Sequence, residues 1–475
     1  MTDLLYQPAT RMAALIRERK ISPTELLEAH LRRIEQVNPK LNAIIHLDAE
    51  RARREAAAAG RAVMAGGETG PLHGVPLTIK SSIDVAGLRC ECGSKLRAGT
   101  IPRRDATLVT RLRQAGAIIL GVTNVPDMLV AYETDNLLYG RTNNPWDLSR
   151  TSGGSSGGES AAIASGCSAG GMGSDGGGSV RVPAHCCGIY GLKPTAGVIP
   201  RTGHWPPCYG PGSLMGLIGP MARSAADVEL LLQVTAGQDF ADPMSAPAPL
   251  HPPPAEQLAK LKIGWYEDDG VVPVTPETRQ AVRKAVQLLA EQGFTTEPYR
   301  PTGMESARDH WWMFFGITGA ALTRPMVEGH EKDVHPIVQD LLAPPDDAVQ
   351  ATFEELLNTW MMRDTLRANL IAQMEEFPVL VCPVGSVPAF GHGERSWSIE
   401  GRTVSYAKAF VYCQIFNLLG NPAAVVPVGR SPEGLPIGVQ IVGRPFEDML
   451  VLAVARKLEE ALGPWQAPPE DVIAS

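Results

Sequence analysis

Residues 153–184 read GGSSGGESAAIASGCSAGGMGSDGGGSVRVPA, and the interpretation of this stretch decides what the rest of the chain builds. Glycine, serine and alanine dominate it, a composition shared with flexible linkers. Three features argue instead for an ordered, tightly turning backbone. Residues 159–165 (ESAAIAS) are helix-competent, and Ile163, Met172, Val180 and Val182 belong in interiors. The dipeptides Ser174-Asp175 and Val180-Arg181 add charge that a spacer does not use. Glycine in such a setting permits positive φ and close approach of backbone to a ligand.

Working outward, Ser22-Pro23-Thr24-Glu25 forms a capping box that opens a helix. Leu27, Leu31 and Ile34 share one face of that helix, and Pro39 is expected beyond its end. LNAIIHL (Leu41–Leu47) predicts a strand, and the Ala/Arg-rich run from Asp48 an exposed helix. Val75–Ile79 and Ala117–Val122 read as strands separated by a helix between Asp105 and Ala115. Near the other end, FPVLVCPVG (377–385) and NPAAVVPVG (421–429) read as buried strands. Helices alternating with short apolar strands predict an α/β fold around a central mixed sheet. The proline-rich stretch Asp242–Pro254 is a candidate boundary. Residues 300–378 differ in character, with Trp311, Trp312, Phe314 and Phe315 clustered ahead of a helical run that ends near Glu376. Such a cluster is either core packing or the wall of an apolar substrate pocket.

Composition narrows the function. Of 475 residues, 44% are hydrophobic and 20% charged, as expected of a soluble globular enzyme. The net charge of -8 and the lack of any Lys/Arg-rich run argue against a nucleic-acid partner. The first twenty residues lack a signal-peptide pattern and no apolar run reaches about 18 residues, so no membrane span and a cytoplasmic location are expected. The eight cysteines are scattered and read as reduced thiols; Cys90–Cys92 and Cys186–Cys187 lack zinc-site spacing, so no metal is expected.

Three motifs bear on chemistry. Residues 171–176 fit the dinucleotide pattern GxGxxG, but no acidic residue follows about 20 positions on. The residues after it read as non-helical, with Pro183 forbidding an extended helix. Residues 153–157 fit GxSxG, which would make Ser155 a nucleophile elbow. The stretch before it, residues 144–150, is turn-prone rather than a strand, and His185 and His204 stand in no informative context. Lys80 closes the apolar run GVPLTIK ahead of Ser81-Ser82. A lysine there usually reaches solvent, yet a desolvated lysine loses its proton readily and can activate a serine without histidine.

Taken together, GVPLTIKSSIDV, GGSSGGESAAIASG, GSDGGGSVRVPA and GIYGLKPTAG resemble the amidase-signature family, in order and from the Ser22 helix to GLPIGVQIVGRPFEDMLVLAVARKLE. That resemblance implies one domain over 1–475, with a central mixed sheet covered by helices on both faces. It fades across roughly residues 240–375, so 300–378 is expected to be a variable, mostly helical insertion shaping the pocket. It also implies that Lys80 is the catalytic lysine, Ser155 a bridging serine after a cis peptide bond, and Ser179 the nucleophile. The N–H groups of Gly176, Gly177, Gly178 and Ser179 match an oxyanion hole, and Ser156, Ser174, Asp175 and Arg181 support it. Three positions depart from the pattern: Ser174 where threonine is frequent, Gly176 where a larger apolar residue is frequent, and Val180 where isoleucine is common. The glycine predicts a softer oxyanion turn. The implied substrates are small-molecule amides, aryl amides, esters or carbamates, with no cofactor and a homodimer as the assembly to look for. The alternative within the family is a glutamyl-tRNA(Gln) amidotransferase A-type subunit that takes ammonia from glutamine.

Overall fold

Ser22 caps a helix over Pro23–Leu41, its side chain accepting from the Glu25 N–H while Glu25 returns a bond to the Ser22 N–H. Pro39 lies inside the last turn of this helix, not beyond its end. Its missing N–H costs one bond there, and Asn42, in the left-handed conformation, closes the helix by donating to Asn38 O. The structure, a computed structural model, describes residues 2–247, 250–342 and 351–474.

The centre is an 11-stranded sheet. In chain order its strands are β1 (Ile44–Leu47), β2 (Pro76–Lys80), β3 (Ile118–Thr123), β4 (Gly170–Asp175), β5 (Tyr190–Lys193) and β6 (Leu217–Ala222). They continue with β7 (Lys262–Trp265), β8 (Thr295–Pro298), β9 (Val379–Pro383), β10 (Ala423–Arg430) and β11 (Pro436–Gly443). Across the sheet the order is β1-β3-β2-β4-β6-β5-β10-β11-β9-β7-β8. The pairs β2/β3, β2/β4, β9/β7 and β7/β8 are parallel and the remainder antiparallel, so the sheet is mixed. Strands before and after the proline-rich stretch Asp242–Pro254 join this one sheet.

Alternation along the strands shows that both faces are covered. In β3, Ile119 packs with Leu108, Leu112 and Leu231 on one side, while Ile118 and Leu120 pack with Leu27, Leu31 and Ala161 on the other. The central strands β2, β3 and β4 are buried at every residue, which is why they read as continuous apolar or small-residue runs. Residues 307–327, 336–342 and 353–373 are helical, with a π turn over Met313–Thr318.

Two features of the glycine-rich stretch differ from the reading of the sequence. Residues 171–176, the apparent dinucleotide motif, lie along β4 and its end rather than in a loop. A short helix does follow, over Arg181–Cys187, because Pro183 falls in its first turn, where a missing N–H breaks no intrahelical bond. Between the two serine loops, the helix Gly157–Ala164 is seated directly on backbone. A Cβ at Gly158 would lie 2.4 Å from Asn124 N and 2.5 Å from Asn124 O. Gly158→Ala is therefore expected to destabilise the protein by about 1–3 kcal/mol, read as a lower denaturant midpoint, and to lower activity by displacing the Ser155 loop.

Candidate active site

β2 and β4 run parallel with Ile79 opposite Met172, so Lys80 and Ser174 emerge side by side at the carboxyl ends of neighbouring strands. Ligand sites of α/β sheets favour that end. Lys80 Nζ lies 2.6 Å from Ser155 Oγ, 2.9 Å from Ser174 Oγ and 3.2 Å from Ser174 O. The side chain is 0% exposed, and burial pushes its pKa down to about 7, against the opposing pull of Cys92, Asp175 and Glu159. At neutral pH a large fraction of the amine is then uncharged.

The Gly154–Ser155 peptide is cis, as the resemblance implies. Ser156 occupies the N-cap position of the Gly157–Ala164 helix but makes no side-chain cap bond. Its hydroxyl instead donates to Ser174 O at 3.3 Å and accepts from Ser174 N. The Ser156 N–H donates to Ser179 O at 3.1 Å, tying the two serine loops together. Ser155 and Ser179 both line one cavity of about 400 Å³.

The turn 175–179 is held plane by plane. Asn417 Nδ2 donates to Asp175 O (3.1 Å), Trp311 Nε1 to Gly176 O (2.9 Å) and Tyr132 OH to Gly177 O (2.9 Å). Val182 N donates to Gly178 O at 2.7 Å. Each carbonyl so fixed sets the following N–H on the opposite side of its planar peptide. The N–H groups of Gly176, Gly177 and Ser179 make no hydrogen bond among the described residues, leaving three adjacent donors. Gly178 differs from the expectation. Its N–H donates to Asp175 Oδ1 at 2.7 Å, which occupies that donor. Nor is Gly176 soft: a Cβ there would meet the Phe315 ring at 3.3 Å, so an aromatic from the 300–378 region fills the space of the larger side chain.

Asp175 and Arg181 are both fully buried and paired at 3.0 Å. Burial works to raise the Asp175 carboxyl, yet the Arg181 guanidinium holds it well below the usual carboxylate range. Arg181 also donates to Gln440 Oε1, Cys413 O and Asn417 Oδ1. These two residues are therefore braces for the turn.

Several residues that sequence reasoning did not single out belong to this region. Glu159 is buried beneath Lys80, accepting from Thr78 (2.5 Å) and Thr123 (2.8 Å), and burial raises its pKa to about 7. A lone carboxylate in an Ala-rich run was the available signal. Of the two histidines set aside, His185 is spent on the backbone of Gly438 and Val387. His204 does line the cavity, correcting its dismissal, but burial pushes its pKa down to about 3. Its Nδ1 meets Pro206 O at 3.0 Å, and its Nε2 has no partner, so the imidazole is bonded to neither serine.

The aromatic cluster serves both expected purposes. Trp311 and Phe314 are buried in a core cluster with Leu366 and Leu370, and Trp311 stacks on Phe315 at 4.7 Å. Phe314 and Phe315, with Met128, Leu322, Trp205 and Cys208, also line the 400 Å³ cavity. A second cavity of about 280 Å³ lies across Ser179, lined by Tyr132, Gly177, Trp311, Trp312, Tyr406 and Gln414, and Ser155 does not reach it.

A sequence model of the family described as Amidase matches residues 25–452. Over 478 residues the chain is 36% identical to an acylamidase of Rhodococcus erythropolis, covering 98% of this chain and 97% of the relative. It is 31% identical to the A-type subunit of the glutamyl-tRNA(Gln) amidotransferase of Moorella thermoacetica, covering 99% of this chain and all of the relative. Among solved structures, 6-aminohexanoate cyclic dimer hydrolase superposes with a TM-score of 0.85 at 32% identity, over 98% of this chain and 99% of that one.

Removing the charge of Asp175 alone strands a buried guanidinium. Asp175→Asn is expected to cost about 3–5 kcal/mol of stability, measured by chemical denaturation, with Arg181 left unpaired as the cause.

Proposed function

The chain belongs to the amidase-signature family of hydrolases acting on amides, and from that premise we propose that it cleaves small-molecule carboxylic amides through an acyl-enzyme on Ser179. The observation that carries this reading is the 2.6 Å contact between Ser155 Oγ and a wholly buried Lys80 whose pKa burial pushes down to about 7, with no imidazole bonded to either serine among the described residues.

The steps follow from donors and acceptors. A neutral amine has two N–H groups and one lone pair. Ser174 O and Oγ accept the first two, which leaves the lone pair for the Ser155 proton. Ser155, made basic, takes the proton of Ser179, whose oxygen attacks the substrate carbonyl. Negative charge developing on the substrate's carbonyl oxygen is met by the N–H groups of Gly176, Gly177 and Ser179; one such donor is worth about 2.7–4 kcal/mol in other hydrolases. Ser155 then delivers its proton to the leaving nitrogen, and water releases the acyl group by the same relay. The reading calls on no cofactor. Esters and carbamates present the same electrophile and are secondary substrates.

Since Ser155 protonates the leaving group, the leaving group occupies the cavity that Ser155 lines. That cavity is apolar and about 400 Å³, which suits an aryl or alkyl amine and is far larger than ammonia requires. This favours a stand-alone hydrolase of substituted amides over a subunit that takes ammonia from glutamine. Anilide hydrolysis well above glutaminase activity is expected of the purified chain, and the reverse ranking would favour the amidotransferase reading.

Ser179→Ala is expected to abolish hydrolysis of a nitroanilide with the fold intact, and Ser155→Ala and Lys80→Met each to lower kcat by orders of magnitude. Because the free amine is the active form and its pKa is about 7, kcat/KM is expected to rise with pH through about 7 and then level. Trp311→Phe, which releases the Gly176 carbonyl, is expected to lower kcat about tenfold or more with a smaller change in KM. A flat pH profile from 6 to 9, or an active Ser179→Ala, would contradict the assignment.

A further inference from the structure

Gln414 sits on the helix Val411–Leu419, is 1% exposed and lines the second cavity. Its amide nitrogen is fully used. One hydrogen goes to Tyr132 OH at 2.9 Å and the other to Ala407 O at 3.0 Å. A carbonyl only accepts, so the Ala407 contact fixes which end of the amide is nitrogen and rules out the flipped orientation. Tyr132 OH in turn spends its own proton on Gly177 O. Gln414 Oε1 is left buried with no donor among the described residues. A buried acceptor without a partner costs about 1–3 kcal/mol, so in a folded protein it calls for an explanation.

Its location supplies one. Ser179 borders both cavities, whereas Ser155 borders only the larger. If Ser155 protonates the leaving nitrogen, the substituent on the carbonyl carbon must extend the other way, into the cavity of Gln414. This step rests on the reading of the previous subsection. Tyr132, Trp311, Trp312 and Tyr406 wall that cavity, and its volume of about 280 Å³ holds a single ring. Flat aromatic walls favour a planar group, stacked or edge-on. We propose that the Gln414 cavity is the acyl subsite and that it selects acyl groups, aryl ones above all, bearing a hydrogen-bond donor, a hydroxyl or an N–H, which Gln414 Oε1 accepts.

The discriminating probe is the proton, not the oxygen that carries it. Nitroanilides of 2-, 3- and 4-hydroxybenzoate are compared with those of the matching methoxybenzoates, and aminobenzoates with dimethylaminobenzoates; benzoate is the parent. Each pair keeps similar ring electronics and removes the donor. At one ring position kcat/KM is expected to favour the donor-bearing acyl group about tenfold or more, since a site built around a hydrogen bond rejects the analogue lacking it. The methoxy group is larger than hydroxyl, so the ratio is read again in Gln414→Met, which keeps length and removes the acceptor. There the preference is expected to fall to about one, whereas Gln414→Glu, which retains an acceptor, keeps it. A general loss of activity in Gln414→Met, through Tyr132 and the Gly177 carbonyl, would lower both members of a pair equally and leave the ratio to report on the donor.

The outcomes separate. Hydrolysis of the whole series with no donor preference at any position, or with a preference unchanged in Gln414→Met, overturns the subsite and leaves the amidase reading standing. Failure of the wild-type protein to hydrolyse any anilide removes the reading and the subsite with it. Should the variants not fold, wild-type kcat/KM for the hydroxybenzoates against the near-isosteric methylbenzoates decides: a preference of about tenfold or more at one ring position supports the subsite, and none at any position overturns it.

Discussion

The arrangement depends on keeping one lysine dry. Lys80 enters the interior at the end of a strand whose every residue is buried, and among the described residues no carboxylate forms an ion pair with its amine. Asp175, the nearby anion, is committed to Arg181 and to backbone N–H groups. Glu159 lies close but is itself pushed toward the neutral form by burial and bonded to two threonines. Had either carboxylate faced Lys80 directly, it would have held the ammonium form and no lone pair would be available for Ser155. The packing of β2, β3 and β4 thus sets the protonation state on which the chemistry turns.

Around that amine the protein builds rigidity from side-chain donors rather than from side-chain bulk. The glycine turn carries no Cβ to hold it, and three side-chain donors from distant parts of the chain, with the nearby Val182 N–H, each grip one carbonyl. Such gripping leaves the opposite edges of the peptides free for an oxyanion and fixes them before substrate arrives. One gripping donor, Trp311, comes from the helix Ala307–Trp312 in the 300–378 region. The Phe315 ring in the same region stands in for the bulky residue missing at Gly176. The aromatic wall of the cavities and the backbone of the turn at 175–179 are therefore mechanically joined in this chain.

Much of this was legible in the sequence because its signals are local. A capping box, a lysine at the end of an apolar run, and serines set in glycine mark the Pro23–Leu41 helix, the end of β2 and the two serine loops. The errors came from local rules applied one turn too strictly: Pro39 and Pro183 sit in terminal turns, where a missing N–H costs little. What stayed hidden was tertiary. Tyr132, Trp311 and Asn417 reach the turn at 175–179, and Gln414 reaches Tyr132, from sequence distances that no spacing rule spans, and each alone reads as an ordinary core residue. His204 likewise gave no signal until Ile83 and His204 were brought together by backbone pairing beside the lysine strand. That Gly178 spends its N–H on Asp175 could not be read from a row of identical glycines.

The central claim is that Lys80 is a neutral amine at working pH, and its own titration tests that most directly. With lysines labelled at Nζ and Cε, and Lys80→Met used for assignment, the resonance of this one side chain can be followed with pH. A midpoint near 7 is the predicted result; burial pushes Lys193 down to about 7 as well, and loss of the resonance in Lys80→Met tells the two apart. A Lys80 that stays protonated beyond pH 9 would contradict the account, since Ser155 would then have no base to receive its proton.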